Sequence, residues 1–210
     1  MKSINQYIQE KLIVNKNTRA KKIEYNYFPK TKEELQELLE QLIEERGNNG
    51  NFNDIDTSEI TDMSELFYKL QDFRKDFNGD ISKWDVSNVI NMDHMFYFCD
   101  SFNQPLNNWD VSNVTNMKFM FNWCESFNQP LNNWDVSNVN DMTCMFCRCK
   151  SFNQDISNWD VSKVRGMNGM FNWCKSFNQP LNNWNVSNVT NMGFMFYKCE
   201  SFNQPLNDWN

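Results

Sequence analysis

The sequence predicts an α/β solenoid, in which 25-residue strand–helix repeats stack behind an N-terminal helical cap. Three observations carry this reading. The pair Phe-Asn opens a unit at Phe77, Phe102, Phe127, Phe152, Phe177 and Phe202, always 25 residues apart, and Trp84, Trp109, Trp134, Trp159, Trp184 and Trp209 keep the same step. Within each unit, apolar residues such as Val114, Met117, Met120, Phe121 and Cys124 follow the spacing of one helical stripe. Upstream, Thr31-Lys32-Glu33-Glu34 is a capping box, followed at helical spacing by Leu35, Leu38, Leu39, Leu42 and Ile43.

Taken in order, residues 1–22 read as a helical arm and a basic linker. Ser3 and Gln6 are placed to cap a short helix whose face carries Ile4, Ile8 and Leu12, and Asn15 to Lys22 is polar and basic. Residues 23–50 read as the cap, with a helix over 32–46 that Gly47 terminates. Such a cap covers the core and strand edge that an open repeat end would expose. Residues 51–210 read as the array. It begins with a degenerate copy (Ile55, Ile60, Met63, Leu66, Phe67), carries a four-residue insertion near Phe73 to Asp76, and ends in a truncated copy. In each regular unit, Leu106 to Val111 predicts a short strand with Trp109 and Val111 facing inward, and Pro105 suits its start. Val114 to Cys124 predicts a helix capped by Ser112 or Asp110.

A single unit has too few apolar side chains to offset the entropy of ordering it, so neighbouring coils must complete one another's cores. Equivalent residues then form columns. Asn103, Asn128, Asn153, Asn178 and Asn203 predict an amide ladder that satisfies turn backbone. Cys99, Cys124, Cys149, Cys174 and Cys199 predict buried thiols acting as small apolar groups. An odd total of seven cysteines, five in one stacked register, suits a reducing compartment.

Charge and hydropathy remove several function classes. The net charge is −7; residues 1–50 carry nine basic and eight acidic side chains, and residues 51–210 carry eleven and nineteen. An acidic array is a poor match for a phosphate backbone, so no nucleic-acid partner is expected. No apolar run approaches the roughly 20 residues that cross a bilayer, and the first residues lack the apolar core of a secretion signal. A cytoplasmic or virion-associated protein is expected.

No enzyme chemistry, cofactor or metal is expected. His94 stands in a slot that elsewhere holds Phe119, Cys144, Gly169 and Phe194, without a repeating catalytic partner. Cys144, Cys147 and Cys149 lie close in sequence, but Cys149 belongs to the buried register and leaves only two thiols, short of a zinc set. The column Asp85, Asp110, Asp135 and Asp160 becomes Asn185 and Asn210, which favours helix capping over a cation site. The sharper hint is what does not repeat. Phe98, Phe119, Trp123, Arg148, Trp173, Phe194 and Lys198 vary between units and fall opposite Met117, Phe121 and Cys124 on a helical wheel. They are the candidate surface for a protein partner, the alternative being lateral packing between neighbouring helices. The truncated last copy suggests either a longer natural chain or end-to-end self-association as a further contact.

The string Met117-x-x-Met120-Phe121-x-x-Cys124-x-Ser126-Phe127-Asn128-Gln129-Pro130-Leu131-x-x-Trp134-Asp135-Val136-Ser137-Asn138-Val139 resembles the repeat of BspA-like surface proteins, a divergent leucine-rich-repeat group that includes many bacterial lipoproteins. The resemblance covers roughly residues 51–210. It implies a leucine-rich-repeat-like solenoid, a non-enzymatic role in adhesion or protein contact, and no catalytic residues. The chain departs from the group in showing neither a secretion signal nor a lipid-anchor cysteine. The opening Met1 to Glu10, with Ile8-Gln9-Glu10, is similar to the capsid-targeting peptides of T-even phage internal proteins. That similarity implies the alternative role of a structural or packaged cargo protein.

Overall fold

The computed structural model describes residues 24–209. The arm and the capsid-targeting resemblance at residues 1–10 lie outside them. One α-helix occurs among the described residues, α1 (Lys32–Arg46). Thr31 Oγ1 accepts the Glu34 N–H at 3.2 Å, and Glu34 reaches back to the Lys30 N–H at 2.6 Å. Gly47, at φ 75°, ends the helix and donates its N–H to Ile43. Leu35, Leu39, Leu42 and Ile43 are buried against the first coil, which contributes Phe52, Ile55, Met63, Leu66 and Phe67.

Beyond α1 the chain is a stack of coils. Single-residue parallel bridges join Asp62, Asn91, Asn116, Asp141, Gly166 and Asn191 in turn, and no longer strand forms among the described residues. The strand expected over Leu106 to Val111 is instead a turn. The Trp109 N–H donates to Leu106 O at 3.0 Å, so the segment folds back rather than extends, though Trp109 and Val111 are both buried.

The helix expected in each repeat is also absent. Residues 117–124 form consecutive turns. The N–H groups of Met120, Asn122 and Cys124 turn back three residues to Met117, Phe119 and Phe121. Those of Met117, Phe119, Phe121 and Trp123 leave the coil and donate to Asp141, Thr143, Met145 and Cys147 of the next, at 2.8–3.0 Å. Half of the donors that an α-helix would use internally therefore point along the stack. The geometry depends on left-handed backbone at Phe119 (φ 56°) and Trp123 (φ 66°), which no α-helix contains. The apolar stripe is real, since Met117, Met120, Phe121 and Cys124 are all buried, but turns of about three residues produce it as well as a helix does.

The core is a set of side-chain columns. Phe102, Phe127, Phe152, Phe177 and Phe202 stack with successive centroids 5.9–6.1 Å apart. Phe96, Phe121, Phe146, Phe171 and Phe196 follow at 5.4–5.9 Å. Trp134 and Trp159 lie 6.4 Å apart and nearly parallel. Polar atoms in the core bond to the preceding coil. The Trp134 indole N–H donates to Leu106 O at 2.9 Å and Trp159 to Leu131 O at 3.1 Å. The thiols of Cys124, Cys149 and Cys174 donate to the carbonyls of Phe96, Phe121 and Phe146. Asn103 Oδ1 accepts the Asn128 N–H and Gln129 Nε2, and the same pair of bonds recurs at Asn128 and Asn153.

The Asp column does not cap helices. Asp85, Asp110, Asp135 and Asp160 each accept the N–H of the serine two residues on, at 3.0–3.1 Å, and so close Asx turns. The Ser112 hydroxyl and N–H hold the Asp110 carboxyl below the usual carboxylate range, and Ser162 does the same for Asp160.

The inserted Phe73 to Asp76 is taken up in a local turn, where the Arg74 N–H returns to Leu70 O and its guanidinium reaches Tyr68 O. The two edges of the stack differ. On the first coil, Gln36 Nε2 from α1 reaches the carbonyls of Glu65 and Leu66, while Lys32 Nζ bonds Asp62 and Ser64. On the last full coil, the N–H groups of Met192, Phe194, Phe196 and Lys198 have no acceptor among the described residues.

Two outcomes test this account. Trp134→Phe removes the donor to Leu106 O while keeping the stacked ring, and urea denaturation should show a loss of about 1–3 kcal/mol with unchanged circular dichroism. The second concerns α1. Arg46 grips Asp54 at 2.8 Å and holds its carboxyl below the usual range. A depressed pKa stabilises the fold above the ordinary carboxylate range and loses that contribution as pH falls through it. Asp54→Asn should therefore cost about 1 kcal/mol at neutral pH, with the difference from wild type vanishing in acid denaturation series below roughly pH 3.

Candidate functional site

All seven candidate residues lie on one face, in two columns, and left-handed backbone holds all of them. The first column runs His94, Phe119, Cys144, Gly169 and Phe194, and the second runs Phe98, Trp123, Arg148, Trp173 and Lys198; every φ lies between 53° and 66°. Outside glycine and asparagine this conformation is rare, and bulky side chains pay about 1–2 kcal/mol for it. The ladder forces it, because the N–H of each left-handed residue must point along the stack, as those of Phe119 and Trp123 do. Side chains at these positions project beside the ladder and away from the Phe and Trp core.

Neighbouring coils bring these side chains together. His94 stacks on Phe119 at 4.6 Å, and Phe98 on Trp123 at 5.1 Å. Tyr97 packs edge-on against both His94 and Phe98 and tilts against Tyr68. The Arg148 guanidinium lies between two indoles, 4.1 Å from Trp123 and 5.2 Å from Trp173. Lys175 approaches the Trp173 ring at 5.7 Å, and Arg74 covers Tyr68 and Phe98 at 4.9 and 5.6 Å. The result is a continuous strip of rings and cations, half-buried from Phe98 to Trp173. At its C-terminal end Phe194 is 68% exposed and Tyr197 51%, so large apolar rings there face solvent.

Sequence reasoning missed Tyr68 and Arg74 as parts of this strip, because a helical wheel separates positions that consecutive turns place side by side. It also missed a shallow cleft on another side of the stack, lined by Lys163, Arg165, Gly166, Asn188 and Thr190. There Gly166 stands in the bridge column between Asp141 and Asn191, and a Cβ on it would come within 2.7 Å of Asp141 Oδ1. The signal was a pair of basic residues, Lys163 in a column that otherwise holds Asn and Arg165 in one that holds Ile90, Thr115, Asn140 and Thr190.

The remaining chemistry is as follows. His94 Nδ1 lies 2.8 Å from Asp93 Oδ1, and its ring is occupied in the aromatic stack. Burial raises the ladder thiols of Cys99, Cys124, Cys149 and Cys174 well above the ordinary range. Among the described residues, no group of three or more His, Cys, Asp or Glu side chains is placed to hold a metal ion. Nor is any helix there long and apolar enough to cross a membrane.

The left-handed backbone gives an inverted substitution order as its signature. Trp123→Gly should be about 1 kcal/mol more stable than Trp123→Ala, whereas glycine is the weaker choice in ordinary helix or strand positions. Urea midpoints of the two variants decide it.

None of the curated proteins and none of the solved structures matches the chain. A family described as Mycoplasma protein of unknown function, DUF285, matches residues 34–149 and 124–210. The overlapping matches take in every coil and all but the first two residues of α1, and the chain belongs to this family.

Proposed function

We propose that the chain is a non-enzymatic repeat scaffold that binds a protein partner through the strip of rings and cations. On this reading it is a leucine-rich-repeat-like solenoid of the BspA-like kind, and its coils serve to hold that strip rigid. One observation carries the proposal: aromatic and cationic side chains occupy strained left-handed positions coil after coil, although Gly169 fills one of the same slots without strain cost. Backbone strain of this kind concentrates where a surface does work, and here the ladder over-determines it. Trp, Tyr and Arg are also the residues that dominate binding energy at protein interfaces. Their mutual stacking fixes rotamers before a partner arrives, which lowers the entropy cost of binding.

The expected partner offers carboxylates and flat apolar groups, complementary to Arg74, Arg148, Lys175 and Lys198 and to the rings between them. A triple substitution Phe119→Ser, Trp123→Ser, Trp173→Ser should abolish capture of the partner identified by affinity purification and mass spectrometry. The solvent-facing pair Phe194→Ser, Lys198→Ser, which leaves the half-buried strip intact, should weaken the interaction about tenfold. Circular dichroism and urea midpoints establish that each variant is folded. Unchanged affinity in both variants sinks the proposal.

A further inference from the structure

Five of the seven cysteines are buried in the ladder register, and the other two stand together on the ringed face. Cys144 occupies the first left-handed column and Cys147 the column of Tyr97, Asn122 and Asn172. Both are half-buried, and no other coil has a thiol in either position. The Cys147 N–H donates to Cys144 O at 3.1 Å, closing a four-residue turn. A turn of that kind keeps its end Cα atoms within about 7 Å, the span that a disulfide bridges. The two thiols lie close enough to shift each other's ionisation in opposite directions.

Each thiol of the pair keeps partial exposure. Gly169 follows Cys144 in its column, where Phe119 precedes it, and a Cβ on Gly169 would come within 2.9 Å of Cys144 Sγ. Gly169 is buried, and the sulfur occupies the room that its missing side chain leaves. The pair is also unequal. The neighbouring Cys147 thiol, helped by Lys118, draws the Cys144 thiol below the ordinary range, and Cys144 pushes Cys147 up. One sulfur is therefore set up to attack and the other to follow.

We propose that Cys144 and Cys147 form a redox-active dithiol that exchanges with low-molecular-weight disulfides of the glutathione type. The Cys144 thiolate attacks one sulfur of the disulfide, whose S–S bond breaks and releases one thiolate. Cys147 then gives its proton to solvent and attacks Cys144 Sγ, forming the intramolecular disulfide and displacing the second thiolate. Two protein thiols are oxidised, and one external disulfide is reduced to two thiols. The ladder cysteines take no part, because their sulfurs are buried and bond the carbonyls of the preceding coil.

The test uses the full chain in glutathione disulfide, followed by thiol alkylation under denaturing conditions and peptide mass mapping. The expected product has lost two hydrogens in the peptide containing Cys144 and Cys147, while Cys99, Cys124, Cys149, Cys174 and Cys199 remain alkylatable. Cys147→Ser should instead accumulate a glutathione adduct on Cys144, because the resolving sulfur is gone. Cys144→Ser should leave Cys147 unmodified. Three results overturn the proposal: an adduct persisting on Cys144 of the wild type, an unmodified Cys144 in Cys147→Ser, or oxidation of ladder cysteines at the same rate as the pair. A urea midpoint for each variant separates these outcomes from loss of fold.

Discussion

The hydrogen bonds between coils govern everything else in this molecule. Each regular coil sends the N–H groups at alternate positions of its turn run to carbonyls 24 residues further on, as Met117 to Asp141 and Phe119 to Thr143 show, and the first coil, which carries the insertion, reaches 28 further on, as Met63 to Asn91 shows. That fixed offset makes the repeat length a physical requirement. A coil one residue longer would put the wrong peptide groups opposite each other along the whole run. The inserted Phe73 to Asp76 is tolerated because it falls after the ladder residues Met63, Glu65 and Phe67, where the chain passes between coils. Register also sets the core. Once peptide groups align, identical side chains must stack, and the rings, thiols and amides of one coil meet the same groups in the next. The indole and thiol donors then find the carbonyls that the turns leave free, so few polar atoms in the interior lack partners.

Much of this was legible in the sequence, for reasons that differ between elements. The stacking of equivalent residues could be read from six tryptophans at one spacing, because only alignment between coils gives such regularity a purpose. The helix at Lys32–Arg46 could be read from Thr31, Glu34 and Gly47, which are local signals that need no tertiary context. The secondary structure inside the repeat was not legible. Val114, Met117, Met120, Phe121 and Cys124 fit a helical stripe, yet the same residues face inward from a run of turns. A helix satisfies its N–H groups within itself, whereas this coil gives half of them to its neighbour, and hydrophobic spacing carries no information about where donors point. The same blindness made the Asp column resemble helix caps when it closes Asx turns.

The candidate surface owes its alignment to something a helical wheel does not contain. Its seven residues share a face because they share a left-handed backbone. Variation between repeats was the informative signal, since positions outside the core columns are free to differ. What the sequence withheld was lateral proximity. Tyr97 lies beside both His94 and Phe98, and Arg148 is enclosed by indoles from the coils on either side. Such contacts depend on the rise between coils rather than on position along the chain.

The ladder also gives the stack an electrical direction. In the turn run the N–H groups from Met63 to Trp173 aim toward the C-terminal coil, while those of Thr115, Ser126, Asn140, Ser151, Arg165 and Ser176 donate to the preceding coil, so four bonds one way and two the other leave only a partial net dipole along the axis. The sense is opposite to that of an α-helix, whose amides face its own N-terminus. That remainder leaves carbonyls of the first coil facing α1, and Gln36 supplies a side-chain donor to those of Glu65 and Leu66.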